Sequence, residues 1–165
     1  YIGIGSSNKY NVRNPFTADE TTDMLNIALN RHSNFTLLHI PDFGHTGEEG
    51  TGRWIDCVRD TYPPIDTFVC GNPYVVELLS PHYQIIHHDQ VTDDKIEMKG
   101  TRVRHELAKG ADYKSLLSPE VTGYLEDNDL VVRFRGEFGE QTLAEFSSTA
   151  TPESLEDEYQ HTLEQ

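Results

Sequence analysis

Three stretches of the chain set glycine beside a small polar residue, where a ligand could meet bare backbone: "GIGSSN" (3–8), "CGNP" (70–73) and "KGTRVR" (99–104). The last offers the most specific chemistry. Thr101 reads as the N-cap of a helix whose unpaired N–H groups form an anion site. Arg102 and Arg104 add planar forks that bond phosphate oxygens two at a time. The same residues also fit a capped surface helix with solvated arginines. Arg13, between the first stretch and the next helix, could reach toward the Thr101 helix or pair with one of the many carboxylates. Trp54, the single tryptophan, could stack on a flat ring or pack with Ile55 and Val58.

Other chemistries find less support. Asp42 and His45 with Glu48 and Glu49 fit either a cation site or a solvated acidic loop. His87 and His88 are adjacent, so on a strand they face opposite ways and do not share an ion. No GxSxG or GxxxxGK[ST] pattern occurs. Cys57 and Cys70 match no zinc spacing and read as buried, reduced thiols, which fits a cytoplasmic protein.

The elements that must hold these residues follow from periodicity. Short apolar runs at 1–5, 35–40, 66–71 and 83–88 predict strands. Helices are predicted over 17–31, 53–62, 72–80, 101–110 and 118–127. Thr17 and Glu20 form a capping box for the first, and Leu25, Ala28 and Leu29 share one of its faces. Pro63 and Pro64 stop the second, Pro73 and Pro119 open the third and fifth, and Gly110 ends the fourth. Strands alternating with helices favour a parallel sheet covered on both faces, with ligands bound at the carboxyl ends of its strands. The three glycine stretches fall at such ends.

At 165 residues the chain suits one domain, read here as 1–146, followed by an acidic tail at 147–165 that could carry a helix capped by Thr151. Thirteen basic against 28 acidic residues give a net charge of −15, which argues against a nucleic-acid partner. No run nears the roughly 20 apolar residues of a membrane span.

In order along the chain, "GIGSSNKYNVRNPFTADE", "CGNPYVVELL" and "MKGTRVRHELAKGADYKSLLSPEV" resemble the archaeal-type nicotinamide-mononucleotide adenylyltransferases of the HxGH nucleotidyltransferase superfamily. The resemblance spans residues 1 to about 130, most specifically "RNPFTA", "GNP" and "GTxVR". It implies a Rossmann-like, doubly wound parallel sheet in three α/β/α layers. The activity implied is transfer of AMP from ATP to nicotinamide mononucleotide with magnesium, giving NAD and pyrophosphate. Gly5, Ser6, Gly71, Asn72, Gly100, Thr101 and Arg104 would bind ATP, with Arg13 and Arg104 acting on the phosphates. Trp54 resembles the tryptophan that stacks on the nicotinamide ring, and Asp42 lies near the start of the family's nucleotide-binding loop. Family members are often oligomeric, so a homo-oligomer is compatible with the resemblance.

Two departures stand out. "TADET" replaces the family's usual "TAGER", which puts Thr21 where an arginine is expected and leaves room for another phosphorylated acceptor. No HxGH occurs, and Tyr1 opens what would be the second strand of the sheet, so an HxGH segment is expected upstream. A chain natively starting at Tyr1 is expected to be a nucleotide-binding module with weak or no turnover.

Overall fold

The apolar runs do become strands, and they pair in parallel. A computed structural model describes residues 1–44, 47–91 and 99–149. Strands β1 (Ile2–Gly5) and β2 (Leu37–Ile40) run side by side with Ile2 opposite Leu37 and Gly5 opposite Ile40. Strands β3 (Thr67–Val69) and β4 (Gln84–Ile86) form a second parallel pair, with Thr67 opposite Gln84. Parallel partners need a long return, supplied by helix α1 (Ala18–Ala28) in the first pair and α3 (Pro73–Leu79) in the second. Helix α2 (Gly47–Thr61) lies between the pairs in sequence. The class is therefore mixed α/β with parallel strands.

The helix signals were read well at some ends and poorly at others. The Thr17 N–H donates to Glu20 Oε2 at 2.8 Å, and the Glu20 N–H donates to Thr17 Oγ1 at 3.2 Å, the predicted capping box. Gly110 ends helix α4 (Gly100–Lys109) in the left-handed conformation, φ 71°, as expected. Thr101, however, is not the cap. Lys99 occupies that position with extended backbone, and Thr101 sits inside the first turn. Helix α2 starts six residues before the predicted 53–62 boundary. A helix-interior glycine costs only about 1 kcal/mol, less than the packing of Trp54 and Val58 on one face returns.

The chain divides into two compact units. The first holds Tyr1–Lys9, Thr17–Asp23 and Leu29–Glu97; the second holds Tyr10–Phe16, Met24–Ala28 and the residues from Met98 onward. In the first, Ile40, Val58 and Leu79 are buried, with Trp54, Tyr62, Phe68 and Tyr83 packed around them. The Phe68 ring meets Tyr62 and Tyr83 edge-on at 5.4 and 4.7 Å. Burial pushes the Tyr62 phenol above its usual pKa.

The second unit is helical: α4, α5 (Pro119–Asp127), α6 (Leu130–Phe134), a π turn (Arg135–Gly139) and α7 (Glu140–Thr149). Its core gathers Leu107, Tyr113, Val121, Leu125, Leu130, Val131 and Phe134. From α1 it is Met24 and Ile27 that pack on this core, while Leu25 and Leu29 are half-buried and Ala28 is exposed. Among the described residues no helix is long and apolar enough to cross a membrane. The tail helix predicted at Thr151 lies outside the described residues.

Candidate functional site

In the first unit, the carboxyl ends of β1 and β2 and the start of α3 surround a cavity of about 340 Å³. Gly5, Ser6, Asp42, Trp54 and Asn72, all singled out from sequence, line it together with Phe43, Gly44, Tyr74, Val75 and Leu78. Each wall has a local cause. Beyond β1 the chain turns at Ser6, which takes the left-handed φ of 51°. The Lys9 N–H closes that turn on the Ser6 carbonyl at 2.9 Å, and the Ser7 N–H donates to the Ile40 carbonyl at 3.1 Å. Asn8 then bonds the Asp42 backbone in both directions: Nδ2 donates to its carbonyl at 2.9 Å and Oδ1 accepts its N–H at 2.8 Å. The loops after β1 and β2 are thus clamped to each other. Asp42 Oδ1 further accepts the Gly44 N–H at 2.7 Å.

A Cβ placed on Gly5 would meet no atom within 4 Å, so packing does not demand glycine there. The space belongs to the pocket. Asn72 caps α3, its Oδ1 accepting from the N–H groups of Tyr74 at 3.0 Å and Val75 at 3.5 Å, which leaves the side-chain amide as the group a ligand would meet. Trp54 sits in the middle of α2, packing on the core with one part of its ring and lining the cavity with another. Ser6 is strained by roughly 1–2 kcal/mol in its left-handed conformation. Ser6→Gly is therefore expected to raise unfolding free energy by about 0.5–1 kcal/mol after glycine's entropic cost, and Ser6→Val to lower it by about 2 kcal/mol, as urea denaturation would show.

Gly71 does not line this cavity. The His88 ring rests against it, 1.9 Å from where a Cβ would stand. His87 and His88 correct the sequence reading. Strand β4 ends at Ile86, before either histidine, so the two rings are not on opposite faces but lie 4.4 Å apart. Cys57 and Cys70 are free but only half-buried, with Cys57 Sγ 3.7 Å from Thr61 Oγ1. His45 and the side chains of Glu48 and Glu49 lie outside the described residues, and so does any cation site they would make with Asp42.

The second unit brings the remaining candidates together. Arg104 Nη2 donates to Thr101 Oγ1 at 3.3 Å, and its Nη1 lies 3.3 Å from where a Gly100 Cβ would be. The guanidinium thus folds back over the first turn of α4, passing close beside Gly100. Burial lowers the Arg104 pKa, Glu145 opposes that, and the nearby Arg13 charge lowers it further. Arg13 is presented by a tight loop in which Asn11 Oδ1 accepts the N–H groups of Arg13 and Asn14 at 3.0 and 3.1 Å. Tyr10 fixes that loop through its ring on Phe138 at 5.2 Å and its hydroxyl on Glu137. Arg104 above a helix N-terminus, with the charge of Arg13 near it, gives a place where a polyanion would compete with the Glu145 carboxylate. Arg102 is exposed at the same turn.

Sequence reasoning missed Phe43, Gly44, Tyr74, Val75, Leu78 and the clamp residue Asn8. Asn8 and Tyr74 carried a signal, since each lies within or directly beside a glycine stretch; Phe43 and Gly44 carried none beyond their neighbour Asp42.

A unit of parallel strand pairs with a strand-end pocket, and a helical unit, define a mixed α/β protein. The chain is 30% identical over 136 residues to a nicotinamide-nucleotide adenylyltransferase of Methanococcus vannielii, covering 81% of this chain and 76% of the relative. It is 28% identical over 138 residues to the enzyme of that name from Picrophilus torridus, covering 81% and 78%. The one from Halobacterium salinarum is 28% identical over 136 residues, covering 81% and 73%. No protein-family model matches the chain. The chain belongs to the nicotinamide-nucleotide adenylyltransferases.

Proposed function

We propose that the protein transfers AMP from ATP to nicotinamide mononucleotide, forming NAD and releasing pyrophosphate. The observation that carries this reading is the 30% identity over 136 residues to a nicotinamide-nucleotide adenylyltransferase. The parallel strand pairs with helical crossovers support a Rossmann-like, doubly wound sheet in three α/β/α layers as the parent architecture.

In this reading the first unit's pocket receives the acceptor, with Trp54 stacking on the nicotinamide ring and Asp42 beside it. Gly5, Ser6 and Asn72 admit a nucleotide close to the backbone, whereas Gly71 is covered by the His88 ring. In the second unit, Gly100, Thr101, Arg104 and Arg13 bind phosphate. A phosphate oxygen of the mononucleotide attacks the α-phosphorus in line. The bond from that phosphorus to the bridging oxygen breaks, and pyrophosphate leaves with the electron pair. Such a step needs alignment and fixed positive charge more than covalent help, and the arginine pair supplies the charge.

Magnesium prefers oxygen ligands and keeps several waters. Asp42 is the one carboxylate among the described residues lining the pocket. That donor set fits an ion carried in by the ATP phosphates rather than one caged by protein. The half-buried free thiols accord with a cytoplasmic location.

The reading is tested by supplying the full-length protein with ATP, nicotinamide mononucleotide and magnesium and assaying NAD enzymatically. NAD is expected; ATP binding without NAD would leave only a nucleotide-binding module. Trp54→Ala is expected to raise the acceptor KM by roughly 5- to 100-fold, the value of one base-aromatic stack, with the ATP KM little changed. Trp54→Phe, which keeps an aromatic face and part of the packing, should recover most of that loss. Equal effects on the two substrates would contradict the assignment.

A further inference from the structure

Directly after β4 the chain enters a single 3₁₀ turn, His88–Gln90, capped by His87. That turn gathers three side chains capable of binding a metal ion. Ligand atoms of His87, His88 and Asp89 all lie within 4.8 Å of one another. His87 Nδ1 is 3.2 Å from Asp89 Oδ2, and His88 Nε2 is 3.0 Å from Asp89 Oδ1. Two ligands each 2.0–2.1 Å from one tetrahedral ion stand about 3.3 Å apart, a separation that each histidine already has from its own oxygen of Asp89.

His87 Nδ1 faces two partners with opposite needs. It accepts the Asp89 N–H at 3.4 Å, which requires a lone pair, while the Asp89 carboxylate beside it is itself an acceptor. The contact with the carboxylate is satisfied either by a proton on Nδ1 or by a metal ion shared between the nitrogen and the oxygen. His88 is held in place by Gly71, whose missing side chain makes room for the ring. His88 and Asp89 are exposed, so water can fill the remaining coordination positions.

We propose that His87, His88 and Asp89 form a binding site for one first-row divalent ion of the zinc or cobalt type. Two imidazoles and one carboxylate suit such borderline ions, whereas magnesium favours oxygen donors alone. The site is not that of the magnesium accompanying ATP.

The test is a titration of the full-length protein, purified without a histidine tag and free of nucleotide, with Co²⁺. Visible absorption and calorimetry report the binding. One ion per chain should bind with a Kd below about 10 µM and persist in a large excess of magnesium. His88→Gln and Asp89→Asn should each weaken binding at least about tenfold, with circular dichroism spectra overlaying the parent's. His32→Gln, an exposed histidine elsewhere, should leave it unchanged. Absence of binding in that range, displacement by magnesium, full affinity in either site variant, or an equal loss in His32→Gln would overturn the proposal. No arm depends on nucleotide chemistry, so the outcome is separate from the adenylyltransferase reading.

Discussion

Arg104→Ala is expected to slow NAD formation by about 10²–10³-fold, the usual loss when one preorganised donor to a developing negative charge is removed. Arg104 lies over the first turn of α4, bonded to Thr101, with Arg13 close enough to lower its pKa. The Glu145 carboxylate acts on Arg104 more strongly than Arg13 does, so a bound polyphosphate would compete with Glu145 for the guanidinium. The ATP KM should rise with the fall in kcat, while the acceptor KM stays near the parent value. Arg104→Lys keeps the charge but loses the planar fork, so only part of the rate should return. Stability is a separate readout. Arg104 is only partly buried, and its removal ends both its attraction to Glu145 and its repulsion with Arg13, so thermal denaturation should shift little. A large loss of stability with normal turnover would mean that Arg104 is structural.

Phe134→Ala is expected to destabilise the protein by about 3–5 kcal/mol, the range for deleting a fully buried aromatic side chain. Phe134 has 0% exposure at the centre of the second unit's core. Its ring stacks on Phe16 at 6.2 Å and lies 6.5 Å from Phe138. Both neighbours support the loop that presents Arg13: Phe16 follows it directly, and Phe138 carries the Tyr10 ring. The variant should therefore lose activity beyond its loss of folded protein, because the cavity loosens that loop. Val132→Ala, two residues away but 68% exposed, should change stability by less than about 0.5 kcal/mol. Urea denaturation followed by circular dichroism separates the two; similar losses would contradict this account of the core.

Much of the first unit was legible because strands and caps are local signals. "YIGIG", the Thr17–Glu20 box and Pro73 each specify a backbone conformation from two to four neighbouring residues, and the structure follows them. The errors arose where tertiary packing decides. Helix α2 runs through Gly47, Gly50 and Gly52, which read as breakers, since Val58 and Trp54 anchor it from behind. The helices from Leu130 to Thr149 begin at Asp129, whose residue type suits a cap but whose left-handed backbone leaves the side chain making no capping bond. Strand β4 stops at Ile86 because the chain turns at His87, and that turn alone converts two histidines expected on opposite faces into neighbours.

The pocket was partly legible for the same reason. Gly5, Ser6 and Asn72 sit at strand ends, where parallel α/β proteins bind ligands, so topology placed them before any contact was known. The Asn8–Asp42 clamp joins residues 34 apart in sequence and has no local signature. The proximity of Arg13 to Arg104, 91 positions later, was raised from the order of elements, but the close passage of Arg104 beside Gly100 needed atoms.

The central claim is AMP transfer from ATP to nicotinamide mononucleotide, and labelled ATP tests it most directly. The full-length protein would be incubated with the mononucleotide, magnesium and ATP carrying radioactive phosphorus in either the α or the γ position. The account predicts α-label in NAD and γ-label in pyrophosphate, in equal amounts. Label released as free AMP or inorganic phosphate, or no labelled NAD from a protein that binds ATP, would contradict it.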